Sequence, residues 1–468
     1  MKPALHHGLA LFTLCATSSV ATAQNLEEWV APSGDTTLST SFQTLKAKSG
    51  RTVTLVNGIY VFKNVTIPSG SRVKCAGPNP MIWVVTGDFL VDGELAADGS
   101  DGQHVMTLNS ANVPIAGGTG GPAGGRGGAG SPATNQTSPQ GEDGHGPYDF
   151  PAFGGRGGSL AIGPTVSHYG SGGGGGVFGS AGDLSPFGLT IAQTSGAGGD
   201  GRSTLGPVPG GAAGNRLFVD RDDENDFWGV GFDVARNRLV VGELPILVGG
   251  SGGGGGGDRT SPNPNFFDDE EGGGGGGGGG CLIIYAEGKI VVRGTIHANG
   301  GNGGGGEDAG GCRFGGGGGG GSGGMLVLAA HQGITVHVLG ETYDKADFDY
   351  ALSADGGVGR NTAWQAAPYE SKYVRTTPRP NAGGFGGLGL LQLIAPMGTN
   401  SDGTNTRLDD GITLVRNNQV LTGSEKQRFL AWKGWKNAQG IRVDDAGKPI
   451  PASNGGDFRP QPILLPLR

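Results

Sequence analysis

Nine consecutive glycines, Gly272 to Gly280, stand directly before the apolar segment Cys281 to Ala286 (CLIIYA). Glycine gives up more backbone freedom on folding than any other residue. A run of nine inside a folded chain therefore has to be held by its backbone alone. One solution is an extended helix with the polyproline II backbone, three residues per turn and a rise of about 3.1 Å. Such segments can lie side by side, pairing N–H and C=O groups laterally and adding weak Cα–H···O contacts. The other reading is a set of flexible linkers.

The same arrangement is written again further on. A second run, Gly315 to Gly321, leads into Met325 to Ala330 (MLVLAA) and then Gly333-Ile-Thr-Val336. The stretch Gly87 to Gly99 (GDFLVDGELAADG) aligns without a gap on Gly288 to Gly300 (GKIVVRGTIHANG). A third copy starts at Gly333, about 45 residues after the second, and resumes at Leu352 after an insertion from Glu341 to Tyr350. A worn fourth copy covers Leu390 to Ala395 and Gly411 to Val415. Each copy alternates apolar and polar residues and cannot bury its apolar face alone, so the copies must stack. Residues 51–99 read as short strands over 52–56, 59–62, 65–67, 72–75, 82–85, 89–91 and 94–96, punctuated by Gly, Pro, Asn and Asp. Asn57-Gly58 is the one hairpin-type pair among them, so parallel stacking fits better than a hairpin sandwich.

Composition excludes some alternatives. Gly contributes 102 of 468 residues, against a usual share of about 7 %, and Pro another 27. That level raises disorder, but the β-branched strands between the runs and the small net charge of -8 speak for a folded chain. A pI of about 5.5 with no basic stripe excludes nucleic acid and anionic lipid as natural partners.

Residues 1–23 read as a secretory leader, with Lys2, the apolar core Leu9 to Leu14 and the cleavage site Ala21-Thr22-Ala23 before Gln24. The remaining expected divisions are an N-terminal segment over 24–50, first rungs over 51–114, and a glycine-rich insertion with an acidic loop over 115–238. Further repeats follow over 239–415, then a helical cap and Pro-rich tail over 416–468. Residues 115–215 carry little visible periodicity, and Leu239 to Val248 reads as a strand pair. Ser424 to Lys436 is the one convincing helix, from Phe429, Leu430, Trp432 and Trp435 at helical spacing.

Two acidic clusters are candidate metal ligands: Asp220, Asp222, Glu224 and Asp226, and Asp268, Asp269, Glu270 and Glu271. Ca²⁺ takes six to eight oxygens, which dense carboxylates supply. The first cluster lacks the glycine at position six of an EF-hand loop, where Asn225 stands, and has Gly231 in place of the bidentate Glu. A solvated acidic loop is the alternative reading. Cys281 and Cys312 flank one repeat and form a candidate disulfide in an oxidising compartment, leaving Cys75 odd. The alternative is three buried, unreactive thiols. The histidines form no metal or protease motif, no nucleophile elbow or P-loop is present, and Asp98 and Asp355 occupy turn positions. His297 and His337 fall inside repeats and are expected to point outward.

With these repeats the chain resembles the secreted glycine-rich β-helix proteins of bacteria, over residues 51–130 and 239–415. The resemblance is carried by Gly288 to Gly306. Its glycine runs are similar to the polyglycine bundles of some phage tail-tip adhesins. The resemblance implies an all-β fold: a parallel β-solenoid with polyglycine-II-like excursions and a short C-terminal helix. It implies an extracellular structural or adhesive protein of fibre, matrix or attachment apparatus, non-catalytic, self-associating or bound to cell-surface glycans. A carbohydrate-active enzyme or carbohydrate-binding module on the same scaffold is the alternative. No cofactor beyond Ca²⁺ is expected.

Overall fold

The computed structural model describes residues 26–106, 115–131, 140–151, 153–162, 168, 170–178, 198, 200–203, 206–215, 228–233, 238–242, 244, 246–260, 269–310, 313–338, 351–360, 381–396, 410–423, 426 and 462–467. The described elements are strands, apart from a 3-10 turn at Pro147–Asp149. Among the described residues no helix is long and apolar enough to cross a membrane. The helix expected over Ser424 to Lys436 lies outside the described residues except at Lys426, as does the leader.

Three mostly parallel sheets, of eight, seven and five strands, are built in rotation. The chain lays one strand on each in turn: Ile59–Phe62, Val65–Ile67 and Ser71–Ala76, then Met81–Val85, Phe89–Val91 and Glu94–Ala96. All seven strands expected between 51 and 99 are present. The rotation resumes at Cys281–Ala286, Ile290–Val292 and Thr295–His297, then Met325–Ala330, Ile334–His337 and Leu352–Ser353, and ends with Leu390–Pro396 and Ile412–Arg416. Phe89 pairs with Ile290 and Glu94 with Thr295. The gapless sequence alignment of these copies is thus their hydrogen-bonding register. The second and third copies pair at a constant offset of 44, Ala286 with Ala330 and Ile290 with Ile334, so Gly333 falls opposite Lys289 and not Gly288.

Three-residue strands with burial at both ends turn two side chains inward and one outward. The inward rows fill a core that changes character along the stack. Trp29, Tyr60, Phe62, Trp83 and Phe89 cluster at the N-terminal end, with Trp83 4.7 Å from Tyr60 and 5.5 Å from both Trp29 and Phe89. Beyond them the core is aliphatic: Leu282, Ile284, Ile290, Leu326, Leu328 and Leu391.

From Cys281–Ala286 to Leu390–Pro396 the eight-stranded sheet is buried on both faces, which is why these strands read as unbroken apolar runs, whereas Phe42–Lys46, Thr52–Val56 and Ile59–Phe62 alternate. Leu282, Ile284 and Ala286 face the core, whereas Cys281, Ile283, Met325 and Val327 face a second apolar layer formed with Ala123, Phe178, Trp228, Leu244 and Val248. Gln392, fully buried in this outer row, accepts from the Trp228 amide and donates to the Trp228 carbonyl, both at 3.0 Å. Of the strand pair expected over Leu239 to Val248, Arg238–Val241 is a strand among the described residues. Its partner is Val230–Asp233, and Leu244 makes a lone bridge to Trp228.

The sheet ends are closed by reversals. Phe42–Lys46 and Thr52–Val56 form an antiparallel hairpin on the N-terminal edge. At the other end Ile412–Arg416 folds back on Gln419–Val420 through Asn417 and Asn418, both at positive φ. Pro462–Leu467, with two prolines that cannot donate, pairs with Leu390–Pro396 as the last strand of the long sheet.

The glycine runs pack into one array. Gly272 to Gly280 donates along three directions in strict rotation. Gly273, Gly276 and Gly279 donate to Gly316, Gly319 and Ser322; Gly274, Gly277 and Gly280 to Gln103, Ser100 and Ala97; Gly275 and Gly278 to Gly128 and Gly125. The run accepts from three more segments, through Gly253, Gly121 and Gly301 among others. Three runs close a ring: Gly253 donates to Gly276, Gly276 to Gly319, and Gly319 to Gly254, at 2.8–2.9 Å. These are the glycine-only stretches, and they are buried throughout. A Cβ on any residue from Gly272 to Gly280 would sit 2.0–2.3 Å from a neighbouring heavy atom.

The flanking segments carry a side chain at every third residue: Ala116, Thr119 and Pro122; Ala123, Arg126 and Ala129; Phe153, Arg156 and Ser159; Ala382, Phe385 and Leu388. The stretch 115–215 reads from sequence as carrying little periodicity. The segments 116–130 and 153–159 within it have a period of three, with Ala116, Thr119 and Arg156 exposed and Ala123 buried. Segments of 115–178 hydrogen-bond directly to runs 249–257 and 315–324, as Gly128 does to Gly253 and Gly173 to Gly317, so they belong to the same array as the later repeats.

Candidate functional site

The strongest polar constellation lies on the outer face of the five-stranded sheet. Arg72, Glu94 and His297 come from three successive strands, and Asp98 from the turn that follows the second. Strand parity places them: Leu95 and Ile296 point to the core, so Glu94 and His297 emerge on the opposite face. His297 Nδ1 lies 2.7 Å from Asp98 Oδ2 and its Nε2 3.3 Å from Glu94 Oε1. Arg72 Nε donates to Glu94 Oε1 at 2.7 Å, and the Asn299 amide donates to Asp98 Oδ1 at 2.6 Å.

The electrostatics follow from the geometry. Burial alone would lower the His297 pKa, but the carboxylates of Asp98 and Glu94 outweigh it and raise the imidazole to about 10. The hydrogen bond from His297, helped by Arg72, holds Glu94 at about 2. An imidazolium clamped at both nitrogens has no lone pair to accept a proton at neutral pH, and a carboxylate engaged by two cations is a poor proton donor. The chemistry open to this group is cross-linking of rungs, not general acid–base exchange.

The expected outward orientation of His297 is observed, whereas Asp98, read from sequence as serving a local turn, instead accepts from Asn299 and meets His297 in the neighbouring copy. What the residue pattern did not disclose is their union with Glu94 and Arg72. The signal was present in the repeat alignment, where position 94 falls on 295 and position 96 on 297, two neighbours on one face.

The acidic clusters part company. Asp220, Asp222, Glu224, Asp226 and Asp268 lie outside the described residues, as does Cys312; Asp269 is placed in a two-residue strand with Glu270. Glu270 is buried and paired with the fully buried Arg259 at 2.7 Å, and the Glu271 amide donates to Glu307 Oε2 at 3.1 Å. Among the described residues no three His, Cys, Asp or Glu side chains converge to hold a metal ion. Cys75 and Cys281 are buried free thiols whose ionisation burial pushes up, the inert condition.

A second polar system runs along the edge of the glycine array. Asp98 and Asp101 accept from the amides of Asn299 and Asn302 at 2.6 and 2.7 Å, and His104 Nδ1 from Gly305 at 2.8 Å. One segment further, Asn299 and Asn302 accept from Asp355 and Val358 at 2.8 and 3.0 Å. Ser100, Glu142, Asp143 and Ser171 cap Thr119, Ala129, Gly157 and Ser159 in the same way. Each is a side-chain acceptor that satisfies an amide of the segment packed beside it.

No family model matches the chain, and neither a curated protein nor a solved structure matches it.

Proposed function

We propose that this chain is a secreted structural or adhesive surface protein: a parallel β-solenoid whose long sheet carries a bundle of polyglycine II helices. The observation that carries the reading is the closed ring of donors Gly253, Gly276 and Gly319 inside segments that have no side chains. An interior of pure backbone has no functional groups with which to do chemistry. It serves to hold its outer segments rigid, and along one of these Ala116 and Thr119 are exposed one turn, about 9.3 Å, apart. A stiff, regularly spaced display suits attachment to an extended surface. The carbohydrate-active alternative needs two available carboxylates on rigid strands. The strand-borne candidate Glu94 and its turn neighbour Asp98 are instead both engaged by His297.

The test is electron microscopy of the purified protein with and without millimolar Ca²⁺, together with sedimentation against insoluble polysaccharides and release of reducing sugar. Ordered assemblies, or retention on a surface without product release, support the reading. Dispersed particles that release sugar overturn it.

A further inference from the structure

A strand at the end of a sheet offers a row of N–H and C=O groups to any extended chain that meets it. The five-stranded sheet ends on Gly34–Ser39, whose inner neighbour is Ser71–Ala76. The Gly34 amide donates to Gly70 and the Thr40 amide to Ala76, so the even-numbered residues turn their peptide groups inward. By the alternation of a strand, Thr37 and Ser39 turn theirs outward, away from the sheet.

Side chains meet those outward groups. Gln43 Oε1 accepts from the Ser39 amide at 2.5 Å, and Gln43 Nε2 donates to the Thr37 carbonyl at 3.4 Å. The Tyr60 hydroxyl donates to the Ser39 carbonyl at 2.8 Å. A residue of a parallel strand lying opposite Leu38 would present the same pair, an N–H for residue 37 and a C=O for residue 39. The Gln43 carboxamide thus stands in for one residue of a further rung. It is firmly placed: Gln43 pairs with Leu55 in the hairpin, and Tyr60 is fully buried with its ring 4.7 Å from Trp83. The corner between strand and hairpin is tied by Asn79, whose amide donates to Thr40 Oγ1 at 3.1 Å and whose Nδ2 donates to the Thr40 carbonyl at 2.9 Å.

We propose that Gln43 is a built-in edge plug, which closes the N-terminal end of the five-stranded sheet to strand addition by a second copy of the chain. The peptide groups that would seed such pairing, from the Thr37 carbonyl to the Ser39 carbonyl, are already taken within the chain. Further along the same strand stands the exposed carboxylate of Asp35, a charge of the kind that keeps edges apart. Growth of the stack from chain to chain is therefore stopped at this edge. The inference concerns one end of the solenoid and holds whether or not the chain is adhesive.

The test compares the full chain with Gln43→Val, which keeps strand propensity in the hairpin and removes both bonds. Exchange of the Ser39 amide, followed by NMR, should speed about tenfold, the factor for losing one hydrogen bond. Sedimentation velocity should show larger species at concentrations where the unsubstituted chain shows none. Adding Ser39→Pro removes the uncovered donor at an edge position where proline is tolerated, and should abolish those species. Gln43→Thr, a strand former too short to reach Ser39, serves if the valine variant does not fold. Unchanged exchange at Ser39, sedimentation identical to that of the unsubstituted chain, or added species that persist with Ser39→Pro overturn the inference. Retention on a surface and release of sugar test the attachment reading and leave this one untouched.

Discussion

At Gly276 the choice of residue is decided by a single distance. An added methyl would stand 2.0 Å from the Gly301 carbonyl oxygen, and that neighbour is backbone held by its own bonds. Gly276→Ala is expected to cost about 3 kcal/mol or more in chemical denaturation. Ala129→Ser, on the outward position of a flanking segment, should stay within about 0.5 kcal/mol. The charged face gives a second residue-scale expectation. His297 titrates near 10 when folded, above its ordinary 6.5, so its stabilisation is complete below pH 6.5 and is lost as pH rises through 10. Glu94, held at about 2 against an ordinary 4.5, contributes fully above pH 4.5 and is lost as pH falls toward 2. The thermal midpoint should therefore fall on the alkaline side from pH 6.5 to 10, and His297→Gln should flatten that limb. His104 works in the opposite sense. Burial and Arg360 lower its pKa, and it accepts the Gly305 amide only when neutral, so its contribution fades as pH drops below 6.5.

At the scale of elements, the strands were legible and the glycine segments were only half so. Short runs such as Val65–Ile67 and Phe89–Val91 declare themselves by alternation, and the pairing of Phe89 with Ile290 is visible as a sequence alignment. The three-residue period over 116–130 and 153–159 was equally present in the letters, as Ala123, Arg126 and Ala129 show. It is hard to see because a two-in-three glycine content resembles low complexity, and because strand and helix periods are the usual templates. The mutual choice of segments was not legible at all. Nothing local says that Gly277 donates to Ser100 rather than to another run, since identical backbones carry no label. The labels are the side chains at the edges. Asn299→Ala and Asn302→Ala should each cost about 1 kcal/mol and speed exchange of the Asp355 and Val358 amides in NMR. Gln392→Leu should cost about 2–3 kcal/mol, since it strands both the amide and the carbonyl of Trp228, and intrinsic tryptophan fluorescence reports the loosened cover.

At the scale of the whole molecule, two cores share one sheet, and the glycine array is anchored to the outer core through Cys281 and Met325, the first strand residues after two of its interior runs. Interior amides such as those of Gly253, Gly276 and Gly319 should exchange with deuterium as slowly as the strands Cys281–Ala286 and Met325–Ala330. Exchange at the rate of exposed peptide would show the runs to be linkers. The three-per-turn rotation also gives these runs a reading frame. Losing one glycine between Gly272 and Gly280 would turn everything beyond it by a third of a revolution, presenting each donor to the wrong neighbour and Cys281 to the wrong side. Losing three restores every direction and shortens the segment by one turn. Length in such a protein can be gained or lost in triplets, much as a coding sequence tolerates whole codons and is ruined by single bases.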